Sequence, residues 1–201
     1  MFKKSLLGLL LISPFSALAH PHAFIDMQTK PLVKDNQLIG FSTQWLLDEA
    51  SSSAVLYDVK QAKGDKAAQQ KLVDEVMANV VNEHYFSYVF DKENHKIKYT
   101  KHPENYGMRV KGNEVEYYFD FLLAQPQALQ NNEFTLMTYD RTYYVAMRYA
   151  ETGKRAVDFS SLPANCKGEV LEPNVDEKIQ SYASSLDKSQ KNEDDSLGVL
   201  F

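Results

Sequence analysis

One cysteine, one tryptophan and five histidines in 201 residues set the first limits on this chain. A lone Cys166 excludes a disulfide within these 201 residues. No apolar run is long enough to stay in a bilayer as a spanning helix; the best, Leu6 to Phe15, is interrupted by Gly8, Ser13 and Pro14. No basic stripe occurs, which argues against a nucleic-acid-binding role. The H-E-x-x-H run of zinc hydrolases is missing, and Ser51-Ser52-Ser53 lacks the setting of a nucleophile elbow. There is no internal repeat. The chain is also too short and too β-rich for the two α/β lobes of a classical solute receptor.

What is present begins with an export signal. Lys3 and Lys4 give a positive start, Leu6 to Phe15 an apolar centre, and Ala17-Leu18-Ala19 the small-x-small pattern that a signal peptidase needs. Cleavage is expected after Ala19, which makes the mature protein an exported one. No cysteine follows the cleavage point, so no lipid anchor is expected, and the processed protein should not span the membrane. Loss of Lys3 and Lys4 from 22 basic residues leaves 20 against 27 acidic ones, a net charge of −7. This acidity suits cation binding but is chiefly a solubility feature.

Processing at Ala19 makes His20 the first residue, followed by Pro21 and His22. A terminal histidine carries an α-amine with a pKa of about 7.7–8.0 beside an imidazole with one of about 6.5. Both can lose their protons near neutral pH and bind a metal. Pro21 has no amide hydrogen, which blocks the flexible copper site that uses deprotonated amides at positions two and three. It also biases His20 to an extended conformation. The competing reading is a frayed terminus in which the pair does nothing.

The mature chain reads as α+β: an N-terminal β-hairpin, one long amphipathic helix, then a mainly antiparallel β-sheet. Residues 20–172 suit a single domain, and 173–201 a C-terminal helix, expected over 173–187, and a flexible tail. In the hairpin, Ala23, Ile25 and Met27 alternate in one arm and Ile39, Phe41, Thr43, Trp45 and Leu47 in the other. Both apolar sets are odd-numbered, so paired residue numbers must sum to an even value. A three-residue loop of Asp35, Asn36 and Gln37 gives 72, pairing Ile25 with Leu47 and Met27 with Trp45. On the other face Phe24 then opposes Asp48 and His22 opposes Ala50, which makes Asp48 a diagonal neighbour of His22. Asp26 lies about 13 Å along from His22, too far to share an ion easily; it suits a supporting or structural role.

Residues 51–65 read as a polar connection, and Lys66 to about Phe90 as the helix, with Leu72, Val73, Val76, Met77, Val80, Val81 and His84 at spacings of three and four. His84 is expected as a hydrogen-bonded core histidine, and His95 and His102 as solvated loop residues. Strands are expected in KIKYT, YGMRV, EVEYYFDFLL, EFTLMTY, TYYVAMRY and RAVDFS, with hairpin turns at 111–113 and 151–154 and a longer loop in LAQPQALQNN. The terminal LGVLF looks like the start of a strand.

Three stretches carry a resemblance: HPHAFID at 20–26, WLLDE at 45–49 and YDRTYYV at 139–145. They resemble the periplasmic proteins, of unknown-function type, that stand beside nickel/cobalt-type permeases in Gram-negative bacteria. Arg141 stands where a proline is common. Relatives of this kind continue past an LG-x-x-F segment to a strand ending in cysteine, which implies a partner for Cys166 beyond Phe201. The resemblance implies metal handling and, as partner, an inner-membrane permease of the nickel/cobalt type.

A zinc site takes three or four N, O or S ligands. The His20 amine and imidazole, the His22 imidazole and one carboxylate meet that count. Asp48 is the carboxylate favoured by register; Asp140 follows, from the resemblance and from its place at a hairpin end. The cargo expected is Zn2+, with Ni2+, Co2+ or Cu2+ as alternatives. Three functions are open at this point: a periplasmic metal-binding protein that supplies the permease, a copper-dependent oxidative enzyme using the terminal histidine, and a structural protein. The enzyme reading is the weaker, because His22 is too close to His20 for a T-shaped copper brace and neither His84 nor His102 has an enzyme-like setting.

Overall fold

Asp35 and Asn36 are the hinge on which the first hairpin is built. Both adopt left-handed backbone, with φ of 50° and 57°, the conformation a two-residue type I′ turn requires. They join β1 (Ala23–Lys34) to β2 (Gln37–Leu47). The expected three-residue loop is therefore corrected to two residues, Lys34 pairing with Gln37. Ile39 is left unpaired where the register shifts between Leu32 and Val33, and beyond that point Ile25 pairs with Leu47 and Met27 with Trp45, as the odd parity demanded. The next position along, Gly40, has no room for a side chain. A Cβ there would overlap the Phe121 carbonyl oxygen and lie 2.9 Å from Leu122 Cα.

This computed structural model describes residues 23–142, 144–149 and 156–171. The export signal of residues 1–19, His20, His22, the turn expected at 151–154, the helix expected over 173–187 and the terminal LGVLF run lie outside them. After β2 come α1 (Glu49–Gln61), α2 (Lys66–Asn82), β3 (Ser87–Asp91), β4 (Lys96–Ile97), β5 (Glu104–Lys111), β6 (Glu114–Ala128), β7 (Phe134–Thr138) and β8 (Val145–Tyr149). The fold is mixed α+β. A five-stranded sheet runs β5-β6-β2-β1-β8 and a three-stranded one β4-β3-β7. All strand pairs are antiparallel except β1 with β8.

Among the described residues, two α-helices stand between β2 and β3, where one was expected. The stretch read as a polar connection contains α1, whose inward face sets Val55 and Leu56 half-buried against the core and whose one fully buried residue is Ser52. The Ser52 hydroxyl donates to the Leu47 carbonyl at 3.2 Å and accepts from the Val115 amide at 2.9 Å, stitching α1 to β2 and β6. Leaving that amide unsatisfied would cost about 1–3 kcal/mol, so a serine is retained at a position where packing alone would favour an apolar residue. The second helix ends at Asn82, eight residues before the expected end, with Val73, Met77 and Val80 buried.

The chain leaves α2 through three successive left-handed residues, His84 (φ 54°), Tyr85 (φ 58°) and Phe86 (φ 48°). Such backbone costs about 1–2 kcal/mol per residue. Burial of Tyr85 offsets it: the ring is 1% exposed and stacks on Phe121 at 5.1 Å and Phe119 at 5.8 Å. The turn leaves His84 exposed, not in the core as expected.

The core lies on the odd-numbered face of the larger sheet. Ile25, Met27, Phe41, Trp45, Val115, Tyr117, Phe119, Phe121 and Met147 are all buried there. On the even-numbered face Glu116 is also buried, held by Arg109 Nη1 at 2.8 Å and by Lys111 Nζ. Burial pushes the Glu116 carboxyl up, but the Lys111 and Arg109 cations outweigh it and hold it below the ordinary glutamate range. A depressed carboxyl stabilises the fold above its unfolded pKa, about 4.3, and that stability is lost as pH falls through the folded value. Glu116→Gln should therefore cost about 1–2 kcal/mol at pH 7. The gap to wild type should close below pH 4 in urea-denaturation curves.

Candidate functional site

The first described strand begins one residue after His22, so the position of Ala23 fixes where the histidine lead joins the fold. Strand β1 lies between β2 and β8, and a candidate carboxylate stands on each flank of its first residues.

On the β2 flank is Asp48. Its backbone N–H donates to the Phe24 carbonyl at 3.0 Å, and the Phe24 N–H donates to Asp48 Oδ2 at 2.7 Å. The expected juxtaposition of Phe24 with Asp48 is present. The further pairing of His22 with Ala50 presupposed a strand that continues; instead the chain turns into α1 at Glu49. Asp48 is the N-cap of that helix. Oδ1 accepts from the Ser51 amide at 2.8 Å, and Oδ2 accepts from the Ser51 hydroxyl at 2.8 Å. Such a cap satisfies one of the orphan amides of the first turn. Burial raises the Asp48 carboxyl, but the hydrogen bonds from Ser51 and Phe24 together outweigh it and hold it below the ordinary value. It is an anion at neutral pH, oriented by the helix terminus and partly exposed.

On the β8 flank is Asp140, two residues beyond β7 and 5% exposed. Its Oδ1 accepts from the Thr142 amide at 2.8 Å and its Oδ2 from the Val145 amide at 2.9 Å. The Thr142 hydroxyl lies 2.8 Å from Oδ1 and 2.9 Å from Oδ2. Val145 is the residue of β8 that pairs with Ala23. Asp26, one of the acids near the lead, forms an ion pair with Arg148 Nε at 2.5 Å, a tie between β1 and β8.

The remaining histidines are dispersed. His84 stacks on Tyr88 at 6.4 Å. His102 is exposed in the loop before β5. His95 is exposed between β3 and β4, and there the structure brings together a group that the sequence reading passed over. The ligand atoms of Asp91, Glu93 and His95 lie within 4.8 Å of one another. Their spacing of two was the available signal. Asp91 Oδ1 accepts from the Glu93 and His95 amides at 3.0 and 2.8 Å. Those bonds account for the clustering as a carboxylate-closed turn. The His95 amide and ring hold the Asp91 carboxyl below its ordinary range. Among the described residues, no helix is long and apolar enough to cross a membrane.

A family model described as a protein of unknown function, DUF1007, matches residues 5–201. A protein of Haemophilus influenzae, described as uncharacterized, is 64% identical over 196 residues, covering 98% of this chain and 93% of that protein. No solved structure matches.

Proposed function

The chain belongs to the DUF1007 family, and from the arrangement at the start of β1 we propose that it is a periplasmic transition-metal-binding protein that supplies or assists an inner-membrane metal permease, with zinc as its principal cargo. The observation that carries this reading is the pair of anchored carboxylates, Asp48 at the end of β2 and Asp140 in the turn before β8, hydrogen-bonded to Phe24 and to Ala23's strand partner Val145. Ala23 is the point from which the chain runs back to His22 and His20. The His20 amine and imidazole, the His22 imidazole and a carboxylate from this pair make four N and O donors, within the three or four that zinc takes from a protein. Nickel and cobalt, and copper by raw affinity, compete for the same donors.

The likeness to ZevA, the periplasmic half of the ZevAB zinc-acquisition system, supports zinc and a permease of the nickel/cobalt type as partner. Ligands on a chain end suit delivery, because they can release an ion one at a time. Protons compete for the imidazoles, so affinity should fall as pH drops through about 6.5. A deletion strain should grow poorly under zinc starvation, and added zinc alone should restore it. Growth equal to the parent strain under zinc limitation would contradict a supply role.

A further inference from the structure

The stretch from Asn94 to Pro103 runs against the acidity of the chain. It holds Lys96, Lys98 and Lys101 with His95 and His102, and no acid, so with neutral histidines it carries +3 where the whole chain carries −5. The acids just before it are already engaged, Asp91 with the His95 ring at 3.3 Å and Glu93 with Lys92 at 3.7 Å. Lys98 and Lys101 are exposed and have no acidic partner among the described residues. The lysines between α1 and α2 differ in this respect, since Asp65 stands between Lys63 and Lys66.

The fold holds this stretch on both sides. The Asp91 amide donates to the His95 carbonyl at 3.1 Å, and Lys96 and Ile97 pair with Phe90 and Val89 of β3. Beyond them the Ala124 amide of β6 donates to the Lys98 carbonyl at 2.7 Å, and the Thr100 amide donates to the Leu122 carbonyl at 2.9 Å. The segment is thus the seam between the two sheets, and its side chains alternate between two faces. Tyr99 takes the inward face, its ring 5.1 Å from Phe121 and 5.8 Å from Tyr85. Lys96 and Lys98 therefore take the outward one, where Lys96 Nζ lies 4.1 Å from the centre of the Tyr88 ring. The strand residues that flank the seam, Val89, Phe90, Leu122 and Ala124, are uncharged.

We propose that this lysine ridge is a docking surface for the anionic phosphodiester headgroups of a bilayer, which holds the protein at a membrane without crossing it. Lysine is a compact charge on a flexible stem, suited to headgroups that move. Protein interfaces instead favour arginine and are depleted in lysine, and the stretch contains no arginine. A negative surface repels the acidic remainder of the chain, so the ridge also sets which side approaches. The inference goes beyond the metal-binding reading and does not rest on it, because none of these lysines is a proposed metal ligand.

The test is co-sedimentation of the processed, chelator-treated protein with vesicles of phosphatidylcholine alone and of phosphatidylcholine mixed with phosphatidylglycerol. The wild type should bind the mixed vesicles and not the neutral ones, and added salt should release it. Lys98→Gln with Lys101→Gln should weaken binding about 25-fold, each lysine at an anionic surface contributing about 5-fold. Lys98→Arg with Lys101→Arg keeps both charges and should bind as wild type does. Lys63→Gln with Lys66→Gln removes the same charge elsewhere and should stay close to wild type. Urea midpoints equal to that of the wild type show that the variants are folded.

Equal losses in the two glutamine pairs would make net charge, not the ridge, the cause and overturn the inference. Wild-type binding by Lys98→Gln with Lys101→Gln, or equal binding to neutral vesicles, would overturn it too. Absence of binding to both vesicles, with Lys98→Glu and Lys101→Glu together abolishing growth under zinc limitation, would assign the ridge to an acidic protein surface and overturn the lipid reading. Failure of the protein to bind zinc would overturn the metal-binding reading and leave this inference standing.

Discussion

Replacing His20 and His22 together by alanine should raise the Kd for Zn2+ by more than about 100-fold, given that losing a group which only orients a ligand already costs about 10–100-fold. A 100-fold loss corresponds to about 2.7 kcal/mol of binding free energy. Two imidazoles are removed, and what remains, an amine and a carboxylate, falls short of the three protein donors of the simplest zinc sites. The metal-free variant should unfold at the wild-type midpoint, because both substitutions precede Ile25, the first buried residue among the described ones. Calorimetry at pH 7.5 gives the affinity and a urea curve gives the stability. A Kd unchanged by the double substitution would remove both histidines from the site.

The second large effect concerns stability. Phe121→Ala should destabilise the fold by about 3–5 kcal/mol, a large share of the roughly 5–15 kcal/mol that holds a domain of this kind. Phe121 is fully buried, with ring centroids 5.1 Å from Tyr85, 5.1 Å from Tyr99 and 5.4 Å from Phe41. Its loss opens a cavity and also removes one of the two rings on which Tyr85 stacks, leaving Phe119, and so weakens the packing that offsets three left-handed residues. The urea midpoint should fall while the slope stays constant, the mark of a change in stability rather than in the denatured state. A loss below about 1 kcal/mol would contradict this account of how the turn after α2 is held.

The sequence spoke clearly where local chemistry and periodicity agreed. Odd parity in both arms of the first hairpin set which residues face the core, and Gly112, with φ of 65°, made the turn between β5 and β6 visible. Asp48 opposite Phe24 followed from the same parity. Helix α1 was hidden because the residue it buries fully is a serine, with Val55 and Leu56 only half-buried beside it, and because its N-cap read as a strand acid. The end of α2 was hidden because Tyr85 continues the helical spacing, yet its burial against β6 overrides local backbone preference. Strand β6 was expected to stop near Leu123; it runs to Ala128 because Leu38 and Gln37 supply partners for Gln127 and Ala128 past an irregularity that accommodates Pro126. The parallel pairing of β1 with β8 joins residues more than a hundred positions apart, and no local pattern encodes it. For the same reason sequence gave Asp140 a place at a hairpin end, but not its lock on the strand beside Ala23.

The central claim is that export processing turns an interior histidine into a chain-end chelator beside carboxylates already anchored by the fold. Intact-mass analysis and Zn2+ calorimetry on protein exported and processed by a Gram-negative cell test it most directly. The account predicts a first residue of His20, about one equivalent of zinc bound, and weaker binding when one extra residue precedes His20. A mature terminus at any other residue, or protein that leaves the cell metal-free and ignores added zinc, nickel, cobalt and copper, would contradict it.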